Sequence, residues 1–135
     1  MSRGLRNNNP GNIRISKVKY QGEVTPSADS AFKQFSSMAW GYRAMFVLLD
    51  SYRRGGYTNI KQMIARYAPS NENNTESYIR SVSLWSGILA DISLDTRDPA
   101  MMIPVVAAMS RVENGVSAIE AQVKEGWELF VKNKP

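Results

Sequence analysis

The segment from Met38 to Arg54 carries the longest helical pattern in the chain, and it most limits the folds that the chain can adopt. Its apolar side chains recur every three or four residues, which is the periodicity of one helix face. These side chains are Tyr42, Met45, Leu49 and Tyr52, flanked by Ala39 and Phe46. Ser36 or Ser37 can cap its start, and Gly55 can end it. Because so wide an apolar face is typical of a central helix, we expect the domain to pack around it.

Shorter amphipathic segments predict further helices after this one. Residues 58–67 form one such segment, and residues 76–87 form another, with Thr75 as the expected N-cap. Near the end of the chain, Ser117–Glu120 matches a capping box that would begin a last helix.

One helix is predicted to end in a single carboxylate, Glu113. Asp98 could start this helix, but Pro104 should break it, so we expect a kink before the final turns. Asn114-Gly115 follows as a left-handed C-cap, which puts Glu113 in the last turn. The negative end of the helix dipole disfavours a charged carboxylate there, and a general acid needs that bias. A solvated glutamate beside a helix end would have the same position in the sequence.

The N-terminal part of the chain predicts turns and a small β element. Asn7–Ile13 is rich in turn formers, and Arg14–Phe35 contains short apolar stretches separated by turn residues. We read one or two short strands there. The sequence therefore predicts a mainly α fold with five or six helices and a small β-hairpin.

The composition narrows the chemistry that the chain can perform. Its 135 residues suit a single domain, and it contains no cysteine or histidine. Disulfides, thiol catalysis, Ser-His triads and the usual zinc sites are therefore excluded. The formal charge of +5 favours an anionic partner, which could be nucleic acid, a membrane surface or the polymers of a bacterial cell wall.

The N-terminal sequence has no apolar run typical of a signal peptide, and no segment approaches the roughly eighteen apolar residues of a membrane span. We expect cytoplasmic synthesis without a signal peptide and no stable membrane insertion.

Three segments carry a resemblance to known enzymes. Residues 108–115 (AMSRVENG) resemble a helix that ends in Glu-Ser-Gly in goose-type lysozymes and soluble lytic transglycosylases, with Asn114 in place of the serine. Residues 75–82 (TESYIRSV) are similar to the Glu-Thr-Arg-x-Tyr-Val-x-x-Val segment of that branch, and Asn74 stands where those enzymes often carry glutamate. Residues 9–13 (NPGNI) are similar to the Asn-x-x-Gly-Ile turn of bacterial wall glucosaminidases.

The order of these segments differs from that branch, in which the glutamate helix precedes the β region. The resemblance therefore implies a circularly permuted, single lysozyme-like domain over residues 1–135. Most of the chain looks like a family of phage and prophage lysozyme-like proteins. That family implies a muramidase, which cleaves the β-1,4 bond between MurNAc and GlcNAc of peptidoglycan. Such an enzyme would be either an endolysin or a virion protein. We expect a monomer that needs no metal or cofactor and reaches the wall through a holin-type pore or within a virion.

The resemblance identifies Glu113 as the catalytic acid. Hydrolysis usually needs a second carboxylate, for which Glu23 and Asp29 near the hairpin are the candidates, although either can be a turn carboxylate. A lytic transglycosylase needs only one acid, because a hydroxyl of the sugar itself attacks. Since two carboxylates are available, we expect hydrolysis, with transglycosylation as the alternative.

Further residues could bind the substrate. They are Tyr78, Asn12 and Tyr67, together with Asn74 and Thr75 at the start of the matched helical segment. Each could instead have a structural role, the tyrosines in the core and Asn12 in its turn.

Two classes other than an enzyme fit the same sequence. A non-catalytic virion subunit would keep the fold. A nucleic-acid-binding domain would use the basic residues, but no zinc knuckle, RNP-type aromatic sheet or recognition helix is present. That class depends on charge alone and is the weaker alternative.

Overall fold

The computed structural model describes residues 1–70 and 73–133. Six helices are defined within these residues: α1 (Arg3–Arg6), α2 (Met38–Arg54), α3 (Ile60–Tyr67), α4 (Thr75–Ser86), α5 (Pro99–Asn114) and α6 (Glu120–Lys132). Two short strands, β1 (Glu23–Val24) and β2 (Gln34–Phe35), pair antiparallel, with Glu23 opposite Phe35. The predicted mainly helical fold with a small β-hairpin is confirmed.

Helix α2 has the bounds that the sequence predicts. The side chain of Ser37 accepts a hydrogen bond from the amide of Trp40, which satisfies one free donor of the first turn, and Gly55 forms the C-cap. Tyr42 and Leu49 on its apolar face are each 1% exposed. The helix is therefore central in the core.

The largest helix contact in the molecule joins α2 to α6. Phe46 meets Trp127 edge to face, with ring centroids 5.0 Å apart. Gly126 permits this approach, because a Cβ there would lie 2.6 Å from the Cβ of Tyr42 and 2.9 Å from the carbonyl oxygen of Ala39. The two backbones are therefore as close as a glycine allows.

Two predicted N-caps are wrong. Asn74, not Thr75, caps α4, since its side chain accepts a hydrogen bond from the amide of Ser77 and Thr75 is already helical. The capping box at Ser117 does not form, because helix α6 begins only at Glu120 and its N-cap, Ile119, has no polar side chain.

The predicted break at Pro104 is also wrong. Helix α5 runs without interruption from Pro99 to Asn114, with the side chain of Asp98 accepting from the amide of Ala100. Pro104 lacks the N–H that would bond to the carbonyl of Ala100, and its ring crowds that carbonyl, yet the helix continues through it. Gly115 ends the helix with φ of 73°, as predicted. Glu113 therefore lies in the last turn of a sixteen-residue helix.

The N-terminus forms the short helix α1, which the sequence did not predict, and the Asn-rich turn follows it. A Cβ at Gly4 would lie 2.6 Å from the side-chain oxygen of Asn114, so α1 packs directly against the end of α5. Asn9 is fully buried and donates to the carbonyls of Ile13 and Lys33 at 3.0 and 2.9 Å. These bonds close the turn and join it to the residue that precedes β2. Within the described residues, no helix is long and apolar enough to cross a membrane.

Candidate active site

Glu113 lies where two cavities adjoin. The larger one, here called the cleft, has a volume of about 360 Å³ and lies between the Asn-rich turn, the hairpin region and helices α2 and α3. The second cavity, of about 270 Å³, lies between the start of α4 and the end of α5. Glu113 and Asn73 line both. The two cavities, together called the groove, therefore adjoin at Glu113 and Asn73.

Two neutral donors orient the carboxyl of Glu113. The hydroxyl of Tyr78 donates to Oε2 at 2.8 Å, and the side-chain amide of Asn12 donates to Oε1 at 2.9 Å. Each oxygen has a further lone pair available, so the carboxyl can still meet a ligand in the groove.

Burial raises the pKa of Glu113 above that of an ordinary glutamate, because the charged form loses its hydration. The hydrogen bonds from Asn12 and Tyr78 and the charge of Arg14 oppose this effect and hold the pKa lower than burial alone would give. The last turn of α5 adds the negative end of the helix dipole, which also favours the protonated form. The protonated form of Glu113 is therefore more favoured in this site than it would be in water.

The Asn-rich turn brings Asn12 to Glu113. Asn12 has φ of 49°, in the left-handed region that asparagine tolerates, and the side chain of Asn114 donates to the carbonyl of Pro10 at 2.9 Å. The Tyr67 hydroxyl donates to the carbonyl of Gly11. A Cβ at Gly11 would collide with that hydroxyl, so the position requires glycine. The turn is therefore attached to both α5 and α3.

Tyr78 is buried and Tyr67 is partly buried. Desolvation of the hydroxyls, together with the negative charge of Glu113, raises the pKa of each well above its usual value. Both therefore remain neutral donors at physiological pH. Tyr67 lines the cleft and Tyr78 lines the second cavity. The structure thus brings Asn12, Tyr67, Tyr78 and Glu113 together.

Asn74 and Thr75 have different roles in the structure. Asn74 lines the second cavity while capping α4. The hydroxyl of Thr75 donates to the carbonyl of Ala68, which joins α4 to the end of α3, and Thr75 lines neither cavity. The observed role of Thr75 is therefore structural.

Asp29 is not in the groove. Its carboxylate accepts a two-pronged ion pair from Arg3 at 2.6 and 2.8 Å, and it also accepts bonds from the Asn7 side chain and from two amides of its own loop. The Arg3 guanidinium and these donors hold the pKa of Asp29 well below its usual range. An anion so fully paired is a poor base, and it anchors α1 to the hairpin.

Glu23 is likewise outside the groove lining. Its two oxygens accept from the buried ammonium of Lys33 at 3.2 and 3.1 Å, and one of them also accepts from the amide of Tyr20 at 3.1 Å. In the part of the chain that the structure describes, Glu113 is the one carboxylate that lines the groove. No group of three or more acidic side chains among those residues could hold a metal ion.

Several groove residues were missed by reasoning from sequence. Tyr52 lies on the predicted apolar stripe of α2 and was assigned to the core, but it lines the cleft together with Tyr20 and Asn73. Burial raises the pKa of Tyr20 to about 12. The signal that could have indicated Tyr20 is its aromatic side chain in an otherwise solvent-exposed, basic segment.

Comparison with known proteins identifies a bacteriophage relative. No family model matches the chain. Protein P5 of Pseudoalteromonas phage PM2 is 37% identical over 133 residues, which covers 94% of this chain and 81% of Protein P5. The expected relationship to bacteriophage proteins is supported by this match. Because the similarity extends over nearly the whole chain, the protein belongs to the same family as Protein P5 of Pseudoalteromonas phage PM2.

Proposed function

We propose that this protein cleaves the glycan strand of peptidoglycan at the β-1,4 bond between MurNAc and GlcNAc, with Glu113 as the general acid. The observation that carries this proposal is the Glu113 carboxyl, whose pKa is raised by burial. It lies where two cavities adjoin, and it accepts hydrogen bonds from two neutral donors, Asn12 and Tyr78. Cleavage of a glycosidic bond needs a protonated carboxyl beside the leaving oxygen.

The groove suits a polymer better than a small molecule. The two cavities that share Glu113 would receive the sugar units that precede and follow the scissile bond. Amide and hydroxyl groups in the lining, such as Asn73 and Ser77, can bond to the N-acetyl and hydroxyl groups of such sugars. The ring of Tyr52 offers a flat apolar face in the cleft.

The reaction that the lining favours is intramolecular transglycosylation. Glu113 would give its proton to the departing O4 of GlcNAc, and the 6-hydroxyl of MurNAc would form the new bond to C1 and return its proton to Glu113. The product is a 1,6-anhydro sugar, and no water is consumed. Support comes from Glu23 and Asp29, the candidates for a second carboxylate, since both are paired elsewhere.

Hydrolysis, which the sequence favoured, is the second candidate. It would need a water held near C1 by amides or hydroxyls rather than by Glu23 or Asp29. The two routes give products that differ by one water in mass.

A lysozyme-like fold in permuted order is part of the same proposal. It is supported by the contact between the Asn-rich turn and the end of α5, since Asn12 and Glu113 are 101 positions apart in sequence and hydrogen-bonded in the fold. An anionic cell wall suits the charge of +5. The phage relative is compatible with an endolysin released through a holin-type pore and with a virion protein.

The test is digestion of purified peptidoglycan followed by mass spectrometry of the soluble products. We expect fragments ending in 1,6-anhydro MurNAc, while fragments heavier by one water would support the hydrolase. Release of no fragments, together with salt-dependent binding to duplex DNA, would favour the nucleic-acid-binding alternative. Release of no fragments without DNA binding would favour a non-catalytic virion subunit.

A further inference from the structure

Lys33 is a charged side chain inside the protein. Its side chain is 1% exposed, although a lysine is rarely buried so fully. Its ammonium group faces four oxygens: both carboxylate oxygens of Glu23 and the backbone carbonyls of Ser16 and Val18, at 3.3 and 2.8 Å. It also lies 5.7 Å from the centre of the Tyr20 ring. The ammonium thus connects an acid of the hairpin to the segment before it.

That segment, Ser16–Tyr20, forms one wall of the cleft. Ser16, Val18 and Tyr20 line the cleft, yet the segment contains no helix or strand, and its side chains up to Lys19 are exposed. Within the described residues, the hydrogen bonds to the backbone of residues 16–19 come from Lys33. An exposed segment with so few bonds of its own would otherwise be mobile.

Glu23 has two functions in this arrangement. It balances the buried charge of Lys33, which would be costly to bury alone, and it accepts the amide of Tyr20. The residue considered from sequence as a second catalytic acid therefore contacts the cleft wall indirectly, through Lys33 and Tyr20.

We infer that Lys33, held by Glu23, is a positioning residue for substrate binding: it fixes the Ser16–Tyr20 wall of the cleft in the shape that receives the glycan. This inference rests on the proposed function. Ordering a flexible wall when the ligand binds would lower affinity, whereas a wall fixed beforehand avoids that loss. The chemistry proposed at Glu113 does not require the ammonium, because Lys33 does not line the cleft.

The comparison that tests this inference is between the parent and the double variant Glu23→Gln/Lys33→Met. The double variant removes the bonds from the ammonium to the carbonyls of Ser16 and Val18 without leaving an unpaired buried charge. The matched control is Glu120→Gln/Lys124→Met, which removes an exposed ion pair on α6 and leaves the net charge equally unchanged.

Two readouts separate positioning from general stability. The first is the NMR order parameter of the backbone amides of Ser16–Tyr20, which we expect to be about 0.85 in the parent and in the control and to fall below about 0.6 in the double variant. The second is cleavage of soluble glycan strands, for which we expect the apparent KM of the double variant to rise about tenfold. Its kcat should stay within about twofold of the parent value.

Unchanged order parameters, or a fall in kcat without a rise in KM, would overturn the inference even with an active parent enzyme. Failure of the proposed function would give a different result. The parent protein would not cleave peptidoglycan, and the Glu113→Gln variant would not bind cell walls. In that case the substrate-binding role is refuted as well, while the order parameters still report whether Lys33 fixes the segment.

Discussion

The proposed chemistry depends on opposing effects at a single residue, Glu113. Burial and the end of α5 favour the neutral form of Glu113, whereas hydrogen bonds from Tyr78 and Asn12 favour the charged form. The balance leaves a raised pKa and a fixed carboxyl orientation. Changing one donor should therefore alter the titration of the acid in a direction that can be stated in advance.

Tyr78→Phe removes the hydroxyl that donates to Glu113 and leaves the ring in place. Because this bond stabilises the carboxylate, its loss should raise the pKa of Glu113 further. A general acid works in its protonated form, so the pH at which activity declines on the alkaline side should move up by roughly one unit. A pH–rate profile measures this shift, with Tyr57→Phe as the control. An unmoved or lowered alkaline limb would contradict the assignment.

Asp29→Asn tests whether Asp29 is structural, as its ion pair with Arg3 indicates. The pKa of Asp29 is depressed in the folded state, so its stabilising effect is present above the unfolded pKa of about 4 and is lost as pH falls below it. The variant should unfold at lower urea concentration than the parent at neutral pH, and the difference should shrink in acid. Its cleavage rate per folded molecule should match that of the parent. A folded but inactive Asp29→Asn protein would return Asp29 to the active site.

At the scale of elements, the sequence predicted what local periodicity and end signals determine. Helix α2 and the Gly115 cap follow from apolar spacing and from glycine's tolerance of positive φ. The break at Pro104 was wrongly predicted because the cost of one missing hydrogen bond is small beside the burial of α5. The pairing of Glu23 with Lys33 was not predictable, since it depends on how the hairpin folds over its own preceding segment.

The α2–α6 contact gives a prediction about stability. In Gly126→Ala, the new methyl group would lie too close to Tyr42 and Ala39 for the two helices to keep their spacing. We expect a loss of about 1–3 kcal/mol in the free energy of unfolding, although alanine usually stabilises a helix. Urea denaturation measures it, with the exposed Glu128→Ala on α6 as the control, expected within about 0.5 kcal/mol of the parent. Equal or greater stability of Gly126→Ala would show that the helices have room to separate.

At the scale of the whole molecule, the groove forms only when distant parts of the chain meet. The Asn-rich turn comes from the start of the chain, Tyr67 and Tyr78 come from its middle and Glu113 comes from near its end. The resemblance to lysozyme-like proteins pointed to Glu113, Asn12 and Tyr78, but only the fold shows that Asn12 and Tyr78 both donate hydrogen bonds to Glu113. The similarity to the phage protein also extends over most of the chain, 94% of its length.

The most direct test of the account is Glu113→Gln, assayed for clearing of purified cell walls beside the parent and the exposed control Glu120→Gln. Glutamine has nearly the same shape but cannot donate a proton as an acid, so the clearing rate should fall at least about a hundredfold. The free energy of unfolding should stay within about 1 kcal/mol of the parent, and Glu120→Gln should clear walls normally. Wall clearing by Glu113→Gln at the rate of the parent would contradict the central claim.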